Sequence, residues 1–225
     1  MNLPLSPRLQ CCCNFVRPGD RVADIGCDHG YLSIYLLKNN IASSVIAADI
    51  NEQPLQSAVA NAEKFGVQDK ITFYLSDGVR NIPRDFHTMV CAGMGADTMI
   101  SILTAAPWLK RESYRLILQC QSKTHALRKF LSDNHFSIEQ ETVLRDGKFL
   151  YTVMVVQFCP DAPALTIGQQ YFSPALQQDS APEVREYYDR LLFSLDRANR
   201  GRGENADADM IAAYQELLLL KEDLK

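Results

Sequence analysis

Three acidic residues stand where an apolar run gives way to a turn. Asp28 follows Val22-Ala23-Asp24-Ile25-Gly26-Cys27, Asp49 follows Val45-Ile46-Ala47-Ala48, and Asp77-Gly78 follows Ile71-Thr72-Phe73-Tyr74-Leu75-Ser76. Gly26 lets the backbone turn sharply, and Gly30, four residues on, lets a following helix approach the strands. A pyrophosphate-binding loop would carry a glycine where Asp28 stands; the carboxylate repels a pyrophosphate and favours a cation instead. Asp49 lies 23 residues after Gly26, near the spacing at which an acid meets ribose hydroxyls, and its two oxygens can accept from both. A carboxylate at Asp77 can accept from an adenine amino group. Asp24 and Gly30 complete the expected cofactor set. A nucleoside carrying positive charge fits this pattern, and the sulfonium and ammonium of S-adenosylmethionine supply that charge.

Other chemistries find less support. The chain has seven cysteines and no C-x-x-C pair, so neither a disulfide framework nor a metal centre is expected. Cys11, Cys12 and Cys13 are consecutive and diverge around a helix, which reads as small core residues. No Ser-His-Asp or Cys-His arrangement stands out. The net charge of −4 falls wholly in the residues from 166 onward, with 7 basic against 11 acidic, so a polyanion would have to be met by local patches. No run of roughly 18 apolar residues occurs and the N-terminus has no secretory pattern, so a cytosolic protein that avoids membranes is expected.

Alternating elements must position these acids. A helix over residues 5–16, entered at Ser6-Pro7 and stopped before Pro18-Gly19, precedes strands at 22–25, 45–48, 71–75, 89–92 and 116–118. Helices are expected at 31–37, from the Asn51 cap to Phe65 with Gly66 as the stop, and near 96–106 and 123–133. Short apolar strands alternating with amphipathic helices specify a parallel sheet covered on both faces. At residues 137–144 and 149–158 the pattern changes to two strands around Asp146-Gly147, a hairpin signal. The expected fold is α/β, mostly parallel, ended by an antiparallel hairpin, with residues 1–160 as the cofactor domain. Residues 161–225 read as a linker and a helical hairpin of coiled-coil type. Its first helix starts at Ser180-Ala181-Pro182-Glu183 and buries Val184, Tyr188, Leu191, Leu195 and Ala198. A break follows at residues 199–204, and Ile211, Tyr214, Leu218 and Lys221 mark the second helix.

The motifs Leu5-Ser6-Pro7-Arg8-Leu9, Ala23-Asp24-Ile25-Gly26-Cys27-Asp28-His29-Gly30-Tyr31-Leu32, Ala92-Gly93-Met94-Gly95, Gln119-Cys120-Gln121 with Leu127-Arg128, and the segment from Glu141 to Tyr151 resemble the bacterial tRNA (adenine-22, N1)-methyltransferases, the TrmK family. The likeness covers about residues 3 to 158. It implies a class I, Rossmann-like methyltransferase that moves the methyl group of S-adenosylmethionine to N1 of an adenine in the D arm region of tRNA, releasing S-adenosylhomocysteine. By the same resemblance Gly26, Asp28, His29, Asp49, Asp77 and Gly78 would line the cofactor pocket. Gly93, Met94 and Gly95 would sit beside the target base, with Arg8 near it. The chain departs from the family at Ala96, where a further glycine is usual, and at Cys120, where a proline is usual; alanine disfavours the positive φ a glycine permits.

Adenine N1 carries its own lone pair near neutral pH, so the expected catalysis is in-line positioning, with Asp28 stabilising charge as it passes to the base. Arg8, Arg128 and the cluster Arg197, Arg200 and Arg202 are the expected tRNA contacts, in a protein expected to be a monomer. Two other readings stay open: a methyltransferase of the same fold acting on a small molecule or protein, and a noncatalytic S-adenosylmethionine-binding interaction module.

Overall fold

The computed structural model describes residues 3–202 and 207–220, apart from the side chain of Arg202. Seven strands form one sheet: β1 (Asp20–Ile25), β2 (Ala42–Asp49), β3 (Ile71–Leu75), β4 (Thr88–Met94), β5 (Arg115–Cys120), β6 (Phe136–Asp146) and β7 (Phe149–Phe158), in the order β3-β2-β1-β4-β5-β7-β6. β1 to β5 pair in parallel, and β7 pairs antiparallel with both β5 and β6. Successive residues of the central strands point to opposite faces, as strand geometry requires. Ala23, Ile25, Met89, Cys91, Leu116, Leu118, Met154 and Val156 pack on one side, and Val22, Val45, Ala47, Val90, Ile117 and Val153 on the other.

The first side lies under α4 (Ala96–Thr104) and α5 (Thr124–Asp133), through Met99, Ile102, Leu127 and Leu131. The second lies under α1 (Pro7–Asn14), α2 (Tyr31–Lys38) and α3 (Glu52–Phe65), through Cys12, Cys13, Ile34, Ala58 and Ala62. Local chemistry sets the boundaries. The Ser6 side chain accepts from Leu9 N–H and Pro7 opens α1; Gly66, at φ 67, ends α3. Asn51 holds the capping position of α3 without a side-chain bond, and its N–H instead donates to Asp49 Oδ1 at 2.9 Å. The β6–β7 turn is the two residues Gly147-Lys148, with Asp146 paired to Phe149; φ is positive at Gly147 and not at Lys148, the pattern of a type II′ hairpin.

Beyond the sheet, the stretch read as a linker contains two short helices, α6 (Ile167–Tyr171) and α7 (Pro174–Gln177). Thr166 and Gln169 form a capping box on α6, and Ser173 caps α7. The periodicity of five-residue and four-residue helices is too brief to see in the sequence. α8 (Pro182–Arg202) and α9 (Ala208–Leu220) follow. α8 begins at Pro182, which puts Ala181 rather than Ser180 ahead of it, and it runs through Gly201 to Arg202. The helix thus continues through residues 199–202, where a break was expected, since a single glycine costs a helix only about 1 kcal/mol; residues 203 and 204 of that expected break lie outside the described residues.

Val184, Tyr188, Leu192 and Leu195 of α8 are buried against Ala213 and Leu217 of α9. Of the residues that marked this helix in sequence, Tyr214 packs against the cluster, whereas Ile211 and Leu218 are exposed. The run of leucines from Leu217 to Leu220 makes the register ambiguous in sequence. Lys221 lies outside the described residues. The same cluster takes in Val143 of β6, Phe172 and Leu176, so the foot of the helical pair shares a core with the sheet edge.

Candidate active site

β1 delivers the chain into a loop of three positive φ values: Gly26 at 73, Asp28 at 49 and Gly30 at 73. Gly26 N–H and Cys27 N–H both donate to Ala48 O, at 2.8 and 3.0 Å, which ties the loop to β2. A Cβ on Gly26 would collide with Met94 Cε, and one on Gly30 would lie 3.0 Å from Ala58 Cβ. The first glycine thus brings β1 and β4 together at the strand ends; the second lets α2 start against α3.

Asp49, at the end of β2, uses each carboxylate oxygen once: Oδ2 accepts from Asp28 N–H at 3.1 Å and Oδ1 from Asn51 N–H at 2.9 Å. Each oxygen keeps a second lone pair for a ligand. Asp28 is 71% exposed at its side chain, with its Oδ1 3.7 Å from His29 Nε2. Asp77 is two residues past β3, on a turn built by Ser76, whose hydroxyl donates to Gly78 O at 2.9 Å and accepts from Asn81 N–H at 3.1 Å. Arg80 Nε approaches Asp77 at 3.2 Å. Asp24 is buried, receives the Ser33 hydroxyl at 2.6 Å, and is pushed up to about 6 by burial, against the bond from Ser33.

At the end of β4 the register slips between Ala92 and Met94, with Gly93 at φ 81. Gln119, fully buried on β5, accepts from Gly93 N–H through Oε1 at 3.0 Å. Gln121 N–H donates to Met94 O at 2.8 Å and Ala96 N–H to Ser122 O at 3.1 Å. Ala96 opens α4 with no positive φ, so the departure from glycine at this position leaves the turn unstrained. Cys120 ends β5, its thiol directed at Ser122 O at 3.1 Å.

These elements enclose a cleft of about 490 Å³ lined by Arg8, Asp24, Gly26, Asp28, His29, Asp49, Asp77, Gly78, Gly93 and Met94, with Ile50, Ser76, Ile102 and Gln121 among its other walls. The cleft brings together ten of the residues singled out in the sequence. Gly30 and Gly95 stand just outside it, at the N-caps of α2 and α4. Among the described residues Arg8 is the one arginine or lysine in the wall, and its Nε is paired with Asp146 at 2.6 Å. The carboxylates therefore set a negative potential, suited to a cationic ligand. Cys27 and Cys91, beside the loop, have thiols raised by burial, Cys91 to about 12, so neither offers a thiolate. Among the described residues no group of three His, Cys, Asp or Glu is placed to hold a metal, and no helix is long and apolar enough to cross a membrane.

Arg128 requires correction as a tRNA contact. Its side chain is 0% exposed: Nε and Nη2 hold Glu141, with Nη2 to Oε1 at 2.7 Å, and Nη1 donates to Gln170 O and Tyr171 O at 3.1 and 2.7 Å. Glu141 also receives the Ser173 hydroxyl at 2.6 Å. Burial pulls the guanidinium down, yet Glu141 and Tyr187 more than restore it. Arg128 sits on the inner face of α5, where an arginine and a glutamate 13 residues apart look like surface charges in sequence. Arg197 and Arg200 are exposed on α8, Arg200 beside Asp196 at 3.0 Å; the Arg202 side chain lies outside the described residues.

Sequence reading missed Ser76, Ile50 and the part played by Gln119. Ile50 had a signal, being an apolar residue between the strand-end acid and a helix start; it is 62% exposed at the cleft wall. Gln119 was marked only by its place in a family motif, and nothing beside it in the sequence points to its bond with Gly93.

A family model described as a methyltransferase domain matches residues 5–154. The tRNA (adenine(22)-N(1))-methyltransferase of Bacillus subtilis is 33% identical over 156 residues, 69% of this chain and 66% of that enzyme. A Mycoplasma genitalium relative is 36% identical over 60% of this chain. The chain thus spans 61% to 66% of the length of these curated relatives. Among solved structures, the B. subtilis M1A22 tRNA methyltransferase TrmK superposes with a TM-score of 0.83 at 27% identity, covering all of both chains. A Streptococcus pneumoniae protein crystallised with S-adenosyl-L-methionine gives 0.83 at 30% identity, over 95% of this chain and 99% of that one.

Proposed function

This chain belongs to the TrmK family of class I methyltransferases, and from that premise we propose that it uses S-adenosylmethionine to methylate N1 of adenine 22 in bacterial tRNA. The observation that carries the reading is the meeting of Asp28, Asp49 and Asp77 in one cleft with Gly93 and Met94. The residues fit the cofactor: Asp49 has lone pairs for two ribose hydroxyls, the Gly26 turn leaves no side chain between the loop and Met94, and the exposed carboxylate of Asp28 balances a cation. Asp77 and the Ile50 face would receive the adenine ring, with Gly78, His29 and Gly30 shaping the loop. Asp24 supports the loop from below through Ser33.

S-adenosylmethionine, held by Asp28, Asp49 and the Gly26 turn, would supply an electrophilic methyl group. No residue need take a proton, since adenine N1 is a free lone pair at neutral pH. The chain's own task is to hold the base, an effect worth about 7–11 kcal/mol when the geometry is in line. Gln119 fixes the Gly93 backbone, Gln121 and Ser122 fix Met94 and the start of α4 after Gly95, and Asp28 is set to stabilise charge moving onto the base. An adenine held in RNA structure must be unstacked before it reaches this site.

Residues 1–160 are proposed as the methyltransferase domain and 161–225 as a tRNA-contacting arm whose cations are Arg197, Arg200 and Arg202, in a cytoplasmic monomer. Incubation with labelled S-adenosylmethionine and unmodified bacterial tRNA, followed by nucleoside mapping, should give 1-methyladenosine at position 22. Label on a different nucleoside, on protein, or on nothing despite cofactor binding would overturn the assignment.

A further inference from the structure

The tip of the β6–β7 hairpin stands at the same edge of the sheet as the cleft. Met154 of β7 pairs with Leu118 of β5, so Tyr151, three residues earlier on the antiparallel strand, extends to the level of the cleft residue Gln121. In the order β3-β2-β1-β4-β5-β7-β6, the acids end β1 to β3 and the hairpin lies on the opposite flank of Gly93-Met94. Arg8 joins the two parts. It lines the cleft, its Nε is bound to Asp146 at 2.6 Å, and its Cζ lies 5.0 Å from the centroid of the Tyr151 ring. Among the described residues, no hydrogen bond occupies either Nη.

This arrangement says what kind of contact Arg8 is built for. Asp146 compensates its charge, which weakens it as a phosphate grip. What remains is a flat, weakly hydrated guanidinium, backed by an aromatic ring and held by a carboxylate, a surface on which nucleobases stack. We propose that Arg8 is the stacking wall for the unstacked adenine, and that Asp146 and Tyr151 are positioning residues which make the hairpin tip part of base recognition. The proposal rests on the tRNA reading above and assigns the acceptor side of the cleft.

Four variants test it: Arg8→Ala, Arg8→Lys, Tyr151→Leu and Tyr151→Phe, each measured for kcat/KM on unmodified tRNA, calorimetric affinity for S-adenosylmethionine and thermal midpoint. Arg8→Ala and Arg8→Lys should both lose on the order of tenfold in kcat/KM, as stacking on one base would give, because lysine restores charge and not the plane. Tyr151→Leu should lose severalfold, in line with a cation–π contact, and Tyr151→Phe should match the parent. Cofactor affinity should hold throughout. Recovery of activity by Arg8→Lys would mark a charge contact and overturn the proposal. So would a loss of cofactor affinity in Arg8→Ala, which would mark a clamp on the cofactor carboxylate, or parental kcat/KM in Tyr151→Leu. Tyr151→Phe separates loss of the ring from loss of the hydroxyl, and a loss in it equal to that of Tyr151→Leu would overturn the proposal. If the parent protein leaves tRNA unmethylated, it is the functional assignment that fails.

Discussion

Replacing Arg128 with methionine tests how the helical arm is joined to the methyltransferase domain. Both side chains of the Arg128–Glu141 pair are fully buried, so the substitution strands a carboxylate with only the Ser173 hydroxyl at 2.6 Å as its partner. It also removes the donor from Gln170 O and Tyr171 O. An uncompensated buried charge costs about 3–5 kcal/mol, a large part of the roughly 5–15 kcal/mol that holds a domain folded. At about 2–4 °C per kcal/mol for a chain of this size, the thermal midpoint should fall by on the order of 10 °C. Removing both charges, as Arg128→Met with Glu141→Leu, should recover part of the loss, because an apolar pair can replace a buried ion pair while a single stranded charge has no such remedy. Urea unfolding of the parent, both single variants and the double variant gives the coupling directly. If Arg128→Met costs under about 1 kcal/mol, or if the double variant is no better than the worse single one, the account of this pair is wrong.

Three further outcomes follow from the cleft and the arm. Asp24 has a folded pKa of about 6 against 3.8 unfolded, so its contribution favours the fold at low pH and is lost as pH rises through 6. Asp24→Asn should therefore stabilise the protein above pH 6, by up to about 3 kcal/mol, with the gain shrinking towards pH 4 in a series of unfolding curves. Gln119→Ala removes the side-chain acceptor of Gly93 N–H at an exposed turn and should lower kcat severalfold, the effect of about 0.5–1.5 kcal/mol from one lost hydrogen bond, with calorimetry showing unchanged cofactor affinity. Changing Arg197, Arg200 and Arg202 together to Ala should weaken tRNA binding and flatten its dependence on salt by about 0.7–0.9 for each phosphate no longer neutralised; an identical slope in a salt titration would remove the arm's proposed role.

Much of the cofactor half was legible in sequence because its signals are local. β3 and β7 begin and end where the apolar runs do, Gly66 stops α3 as expected, and the acids end strands or open turns because strand ends are where parallel sheets leave backbone open to a ligand. What failed was long-range or short in period. Arg128 and Glu141 look like ordinary surface charges until α6 and α7 fold over them, and those helices are too brief to announce themselves. The face of α9 was hidden among consecutive leucines, where a periodic pattern has no contrast. Gln119 belongs to a motif, yet its role is not local, since it holds a backbone N–H 26 residues away.

If the helical pair contacts tRNA as proposed, the length of α8 sets where it does so. Twenty-one helical residues at 1.5 Å each reach about 31 Å, and the helix is rooted at its base in the core that Phe172, Leu176 and Val143 share with the sheet edge. The helix thereby carries Arg197 and Arg200 at a set distance from the sheet edge, while Arg185 and Arg190 lie nearer its base, where Arg190 pairs with Glu186. Shortening it by seven residues would draw Arg197 and Arg200 in by about 10 Å, and on the proposed reading the altered protein would meet a different part of the RNA.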